Sequence, residues 1–201
     1  MALQNLTKNR QNQIRKRWYP PQQGAWTYAD YLQLPDNGMR YEVVGGNLYM
    51  SPAPRPKHQQ ISTNLLSALH EYVKKNQLGR VYHAPIDVIL TDLATPIQPD
   101  ILFIPTKKLD IVRDVNIKGV PELVIEIISP GNPAHDRNIK FKLYAQAGVP
   151  EYWIVDGEAQ MIDVFVLRGK AYAPLGQFGL DHVIFSEVLD GFSLNIADVM
   201  L

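Results

Sequence analysis

Two carboxylates stand where apolar strands leave little room for charge. In Pro121-Glu122-Leu123-Val124-Ile125-Glu126-Ile127-Ile128-Ser129-Pro130, Glu126 alone between 123 and 128 is not Leu, Val or Ile. In Gln98-Pro99-Asp100-Ile101-Leu102-Phe103-Ile104, Asp100 heads a similar run. A short apolar run bounded by proline and turn residues reads as a buried strand. A bare carboxylate there is costly, so it must meet a cation, bind a metal or keep its proton. Side chains alternate across a strand. Glu126 therefore shares a face with Val124 and Ile128, and Asp100 with Leu102 and Ile104. If the strands are neighbours and the acids point the same way, both can bind one hard cation. Mg2+ and Mn2+ prefer such oxygen ligands. A cation of this kind serves phosphodiester hydrolysis by activating water and neutralising the scissile phosphate.

That reaction also needs a positive or proton-handling group. Asp136, Lys140 and Tyr144 are spaced i, i+4, i+8 along a predicted helix and share one face. The plainer reading of the same spacing is an exposed Asp–Lys pair of little energetic weight. Lys142 lies about 200° around the helix from Lys140 and ranks second. His58 opens another predicted helix, as a site residue or as a polar cap. Asp87 interrupts Ile86-Asp87-Val88-Ile89-Leu90, either as an acid supporting the site or as the exposed face of an edge strand. His70, His83, His135 and His182 have no ligand spacing. Tyr152 and Trp153 read as core aromatics. Gly45-Gly46 reads as a turn, because a phosphate loop would need a lysine and a following helix.

The elements that must position these groups can be read in order. Residues 1–24 are polar and end in Pro20-Pro21-Gln22-Gln23-Gly24, a tail followed by one domain over 25–201. Thr27 caps a short helix from Tyr28 to Leu34. Arg40 to Met50 forms a hairpin around Gly45-Gly46-Asn47. Ile61, Leu65, Leu66, Leu69, Tyr72 and Val73 mark an amphipathic helix over about 56–76, stopped by Gly79. Strands follow at Val81 to Leu90, Ile97 to Ile104 and Leu123 to Ile128. A helix spans Asp136 to Ala147, ended by Gly148 and Pro150. Glu151 to Asp156 is a strand, and shorter strands near 161–167, 171–174 and 183–185 make a β-rich end. The order predicts a mixed α/β domain built on one sheet between helices.

Composition narrows the function. The 201 residues are enough for one sizeable core, and 46% of them are hydrophobic. Cysteine is absent, which excludes disulfides, thiolate metal sites and a cysteine nucleophile, and fits a cytoplasmic protein. No apolar run is long enough for a membrane span. Net charge is zero, which argues against a dedicated tight nucleic-acid binder but not against an enzyme that meets nucleic acid transiently. Lys8, Arg10, Arg15, Lys16 and Arg17 precede the first acid, Asp30. This basic tail could touch a polyanion or simply be solvated.

The motifs combine into a resemblance. Tyr41-Glu42-Val43-Val44-Gly45-Gly46-Asn47-Leu48, His58-Gln59, Pro85-Ile86-Asp87-Val88, Gln98-Pro99-Asp100-Ile101, Glu126-Ile127-Ile128-Ser129-Pro130, Asp136-Arg137 with Lys140 and Tyr144, and Gly148-Val149-Pro150-Glu151-Tyr152-Trp153 occur in an order that resembles the PD-(D/E)XK nuclease superfamily. More narrowly, the chain resembles the Uma-type family of restriction endonuclease-like proteins, over roughly residues 26–195. The resemblance implies a restriction-endonuclease-like αβββαβ core, a mixed sheet flanked by helices with extra hairpins at both ends. It implies Asp100 and Glu126 as metal ligands. Ile128 stands where the superfamily's usual strand lysine would be, and Lys140 matches the helical position to which this family moves it. Glu42 matches an acid that related nucleases use as an extra metal ligand; otherwise it is a hairpin-edge acid. The implied function is a Mg2+- or Mn2+-dependent nuclease, a DNA endonuclease in the first instance, working as a possible homodimer. The rivals are a silent nuclease-fold protein that binds DNA or a partner, and a metal-free buried Glu126–Lys140 pair that serves structure alone.

Overall fold

The computed structural model describes residues 18–90, 96–128 and 135–200, without the side chains of 135–137. The basic residues from Lys8 to Arg17, Ser129, Pro130 and the side chains of His135 and Asp136 lie outside that description. Among the described residues no helix is long and apolar enough to cross a membrane.

Thr27 caps α1 as expected, in a reciprocal box with Asp30, but the helix (Tyr28–Tyr31) is shorter than the expected Tyr28 to Leu34. β1 (Arg40–Val44) and β2 (Asn47–Ser51) then form the expected hairpin. Its turn residues, Gly45 and Gly46, both take positive φ (57° and 74°), which a two-residue hairpin turn of this hand requires. α2 (Pro56–Lys75) follows, with proline at its first position, where the missing N–H costs nothing. It ends before Gly79, the expected stop. Gln77 turns the chain with φ 54°, and Gly79 already belongs to β3 (Gly79–His83).

The predicted strand from Val81 to Leu90 is two pieces. β3 joins the main sheet, whereas β4 (Val88–Ile89) pairs in parallel with β6 (Ile117–Lys118) beside it. Pro85 lies at the break, and proline has no N–H to give to a ladder. β5 (Ile101–Pro105) is shorter than predicted, with Ile97 held to Val88 by a separate bridge. β7 (Leu123–Ile127) and β8 (Glu151–Asp156) occupy the centre. Between them the helix expected from Asp136 begins as a π-type turn, His135–Lys140, and only then becomes α3 (Phe141–Ala147). Gly148 ends α3 in the left-handed region, φ 84°.

β9 (Met161–Arg168) and β10 (Ala171–Phe178) extend the sheet as a hairpin. β11 (Val183–Phe185) pairs with β12 (Ser193–Asn195), and α4 (Ile196–Met200) closes the described chain. The last two elements have no counterpart in the sequence reading, since each is too short to show a period. The six-stranded sheet runs β10-β9-β8-β7-β5-β3. β5 is antiparallel to both β3 and β7, while β7 and β8 are parallel across the α3 crossover. Read along the chain, α2-β3-β5-β7-α3-β8 is the αβββαβ order, and the mixed α/β fold is the expected one.

Alternation along the central strands sorts the core into two layers. Ile101, Phe103, Leu123, Ile125, Trp153 and Val155 pack under α2. Leu102, Ile104, Val124, Tyr152 and Ile154 pack against Leu143 and Tyr144 of α3. Even-numbered positions on β5 and β7 thus face α3, and Asp100 and Glu126 are both even.

Candidate active site

β5 and β7 pair Ile101 with Ile125 and Leu102 with Val124. One step further along this antiparallel register sets Asp100 opposite Glu126, at the end of the sheet where β5 begins and β7 finishes. Both acids are buried, at 4% and 2% exposure, so neither is hydrated from bulk solvent.

Each acid has its own set of partners. Lys140, at the junction of the π-type turn and α3, is itself 3% exposed. Its Nζ donates to Glu126 Oε1 at 2.9 Å and to Glu42 Oε1 at 3.1 Å. Tyr144, one helical turn on, donates its hydroxyl to the same Glu126 oxygen at 2.6 Å. Burial, then the nearby Glu126 charge, push the Tyr144 pKa well above its ordinary value, so the phenol stays a donor. Glu42 arrives from β1 and also accepts the backbone N–H of Gln98 at 2.7 Å.

Asp100 is held on three sides. Arg40 Nη1 reaches Oδ1 at 2.9 Å, His58 Nε2 lies 3.2 Å from Oδ2, and the backbone N–H of Ile127 donates to Oδ2 at 2.9 Å. Burial pushes the Asp100 carboxyl up, but the His58 hydrogen bond, the Arg40 charge and the Ile127 N–H outweigh it and hold the pKa below the usual range. Arg40 is pushed down by burial and more strongly up by Asp100, Glu42 and Glu126, so its guanidinium stays charged. Its other terminal nitrogen donates to the Gln98 carbonyl.

The structure therefore brings Asp100, Glu126, Lys140, Glu42, His58 and Tyr144 into one cluster. His58 lies at the start of α2 with its ring turned to Asp100. Asp87 stands one residue back: its Oδ1 accepts from Tyr31 Oη and from Gln98 Nε2, each at 2.9 Å. Lys142 is exposed and lines a shallow groove with Val44, Gly45 and Gln146. His70 is exposed, and the rings of His83 and His182 contact backbone at Ala84 and Gly179. Tyr152 and Trp153 are fully buried core.

Two members of the cluster were not singled out by sequence reasoning. Arg40 lies two residues before Glu42 on one strand, so the pair shares a face, and that spacing was the available signal. Gln98 stands two before Asp100 and bridges Glu42 to Asp87. Three buried side-chain polar atoms have no partner among the described residues: Arg40 Nε, His58 Nδ1 and Gln98 Oε1. All three belong to residues surrounding Asp100. Among the described residues no group of three or more acids or histidines is arranged to hold a metal ion; Glu42 and Glu126 contact Lys140, and Asp100 contacts Arg40 and His58.

Chemically, the cluster offers three carboxylates, two fixed cations and a phenol at the end of a sheet. A family model described as "Uma2: Putative restriction endonuclease" matches residues 28–197. Among solved structures the chain is similar to one described as a putative nuclease belonging to DUF820 from Anabaena variabilis ATCC 29413. The two share 20% identity and a TM-score of 0.72, over 87% of this chain and 97% of that one. Likeness at that identity reports a shared fold. No curated protein matches the chain.

Proposed function

This chain belongs to the Uma2 family of putative restriction endonucleases, and on that ground we propose that it is a metal-dependent nuclease hydrolysing phosphodiester bonds in DNA. The observation that carries the reading is the contact between Lys140 and Glu126, 2.9 Å. A lysine absent from the strand comes from the following helix to the acid it would serve. Asp100 and Glu126 are the metal ligands in this reading, with Glu42 as a third acid. Mg2+ or Mn2+ fits the donor set, which consists of carboxylate oxygens, Asp100 keeping its charge to lower pH than an ordinary carboxylate. The unpartnered Arg40 Nε, His58 Nδ1 and Gln98 Oε1 agree with a site that receives a further polar group.

The cation would supply charge neutralisation at the scissile phosphate and a more acidic water. The protein's own groups do the rest. Lys140 orients the attacking water or stabilises charge developing on the phosphate. Tyr144 holds Glu126 by donating to it, and Arg40 with His58 fixes the rotamer of Asp100. Asp87 acts through Gln98 on Glu42, and Asp136 is a supporting acid near the start of the same helix. On this reading the protein works in the cytoplasm as one domain over residues 25–201 behind a basic N-terminal segment, and a homodimer would let it cut both strands.

The test is cleavage of plasmid and linear DNA with Mg2+ or Mn2+. Asp100→Ala and Glu126→Ala should abolish it with the fold retained. A wild-type protein that cuts neither DNA nor RNA with either cation would sink the reading. One observation favours a second reading, a nuclease-fold protein that binds DNA or a partner without cutting: all three carboxylates are already ion-paired or hydrogen-bonded inside the protein. DNA binding that ignores Mg2+ and survives Glu126→Gln would select it.

A further inference from the structure

Lys140 is bound to two carboxylates at once. Its Nζ lies 2.9 Å from Glu126 Oε1 and 3.1 Å from Glu42 Oε1, and all three side chains are buried. An ammonium this deep is held by charge, since it has lost most of its hydration. Asp100 is neutralised separately, by Arg40, with the His58 ring hydrogen-bonded beside it. The acids are thus divided between internal cations. A second cation approaching Glu126 meets the ammonium on the same carboxylate, where screening by water is weak and like charges repel strongly.

We infer that Lys140 is a built-in competitor for the divalent cation. The ammonium occupies Glu126 and Glu42 until a cation displaces it, so metal loading and the Lys140–Glu42–Glu126 ion pair exclude one another. The inference rests on the metal-site reading above and adds what the lysine does before any substrate arrives. Its four-carbon stem lets the head group swing while the backbone stays in place. Displacement also frees the ammonium's N–H donors from the acids, making them available to a phosphate oxygen. Tyr144 stays on Glu126 throughout and keeps the carboxylate oriented.

Two measurements on the full chain test this without any cleavage assay. In the first, Mn2+ is titrated calorimetrically into wild type, Lys140→Gln, Lys140→Ala and Asp100→Ala. Losing the ammonium should tighten Mn2+ binding by about tenfold or more in both lysine variants. Asp100→Ala should weaken it. Lys140→Gln keeps N–H donors toward the two acids and is the milder of the two lysine replacements. If Lys140→Ala folds only when Mn2+ is present, that too supports exchange. In the second, amine-reactive labelling of the wild-type protein is read by mass spectrometry. Lys140 should be protected without metal and labelled at saturating Mn2+.

If wild type binds Mn2+ and Lys140→Gln binds it equally or more weakly, the competition is overturned while the metal site stands. Protection of Lys140 that persists at saturating Mn2+ overturns it in the same way. If neither wild type nor any lysine variant binds Mn2+, the metal-site reading has failed and takes this inference with it.

Discussion

Tyr144 donates its hydroxyl to Oε1 of Glu126 across 2.6 Å, on the oxygen that Lys140 also uses. A single carboxylate oxygen is fixed by two donors one helical turn apart. Tyr144→Phe removes one of them and leaves the ring packing intact. Hydrogen bonds to charged groups are the stronger kind, so the variant should lose ~1.5–3 kcal/mol of stability. Urea denaturation measures this. A loss near zero would show that the Tyr144 hydroxyl does not hold Glu126.

The Lys140–Glu126 pair predicts strong non-additivity. Lys140→Met leaves two buried carboxylates facing no ammonium and should cost ~3–5 kcal/mol. Adding Glu126→Gln removes one of those charges, so the double variant should cost much less than the sum of the singles. A double-mutant cycle on unfolding free energies reads the coupling. Simple additivity would mean the two side chains do not interact in solution.

Arg40 controls how Asp100 responds to acid. The folded pKa of Asp100 lies below the usual carboxylate range, against the upward push of burial, because His58, Arg40 and Ile127 favour the charged form. A depressed carboxylate contributes stability that is present above the unfolded pKa and is lost as pH falls through the folded one. Wild type should therefore weaken as the pH drops below about 4. Arg40→Ala raises the folded pKa and narrows the gap, so it should be less stable at neutral pH with a flatter acid limb. Urea midpoints between about pH 2 and 6 give both curves. Parallel curves would contradict the assignment.

The two nearby lysines should separate cleanly. Lys142 is exposed, whereas Lys140 is buried between acids. Lys142→Ala should leave the unfolding midpoint and any DNA cleavage unchanged, whereas Lys140→Ala should remove cleavage. If the effects are reversed, the lysine that serves the site is Lys142.

Glu151 tests whether a buried strand acid must belong to the site. It is fully buried at the head of β8, paired in register with Leu123, at the end of the sheet remote from Glu126. It accepts from Trp153 Nε1 at 2.6 Å and from the backbone N–H groups of Glu187 and Val188 at 2.7 and 3.1 Å. These bonds staple the segment before β12 to the core. Glu151→Gln turns an NH2 toward donors and should cost about 1–3 kcal/mol. Cation binding and cleavage should be untouched, and a change in either would link the two ends of the sheet.

Much of this was legible along the chain. Alternation in Leu123–Ile127 and after Asp100 correctly predicted which neighbours each acid sits among, because a strand's period of two is a property of the backbone itself. Hairpin chemistry at Gly45-Gly46 and the helix cap at Thr27 are equally local, and both appear where they were expected. The π-type turn before α3 was not legible, since it differs from an α-helix by a single hydrogen-bond step and leaves no mark on the pattern of residue types. Nor did the sequence reading single out Glu151 as a buried acid, although it heads an apolar strand as Asp100 does.

Sequence alone determined the order of the core elements, the strand neighbours that share a face with each of Asp100 and Glu126, and the presence of a lysine and a tyrosine one turn apart on the next helix; that the two acids share one face of the sheet was decided by the pairing of β5 with β7. Tertiary structure decided which charge meets which. Arg40 reaches Asp100 across 60 residues, and Lys140 reaches Glu42 across 98. Periodicity is written by the local backbone, but the cost of a buried charge is met by whatever cation the folded sheet and helix bring within about 3–4 Å. That neighbour is a property of the fold.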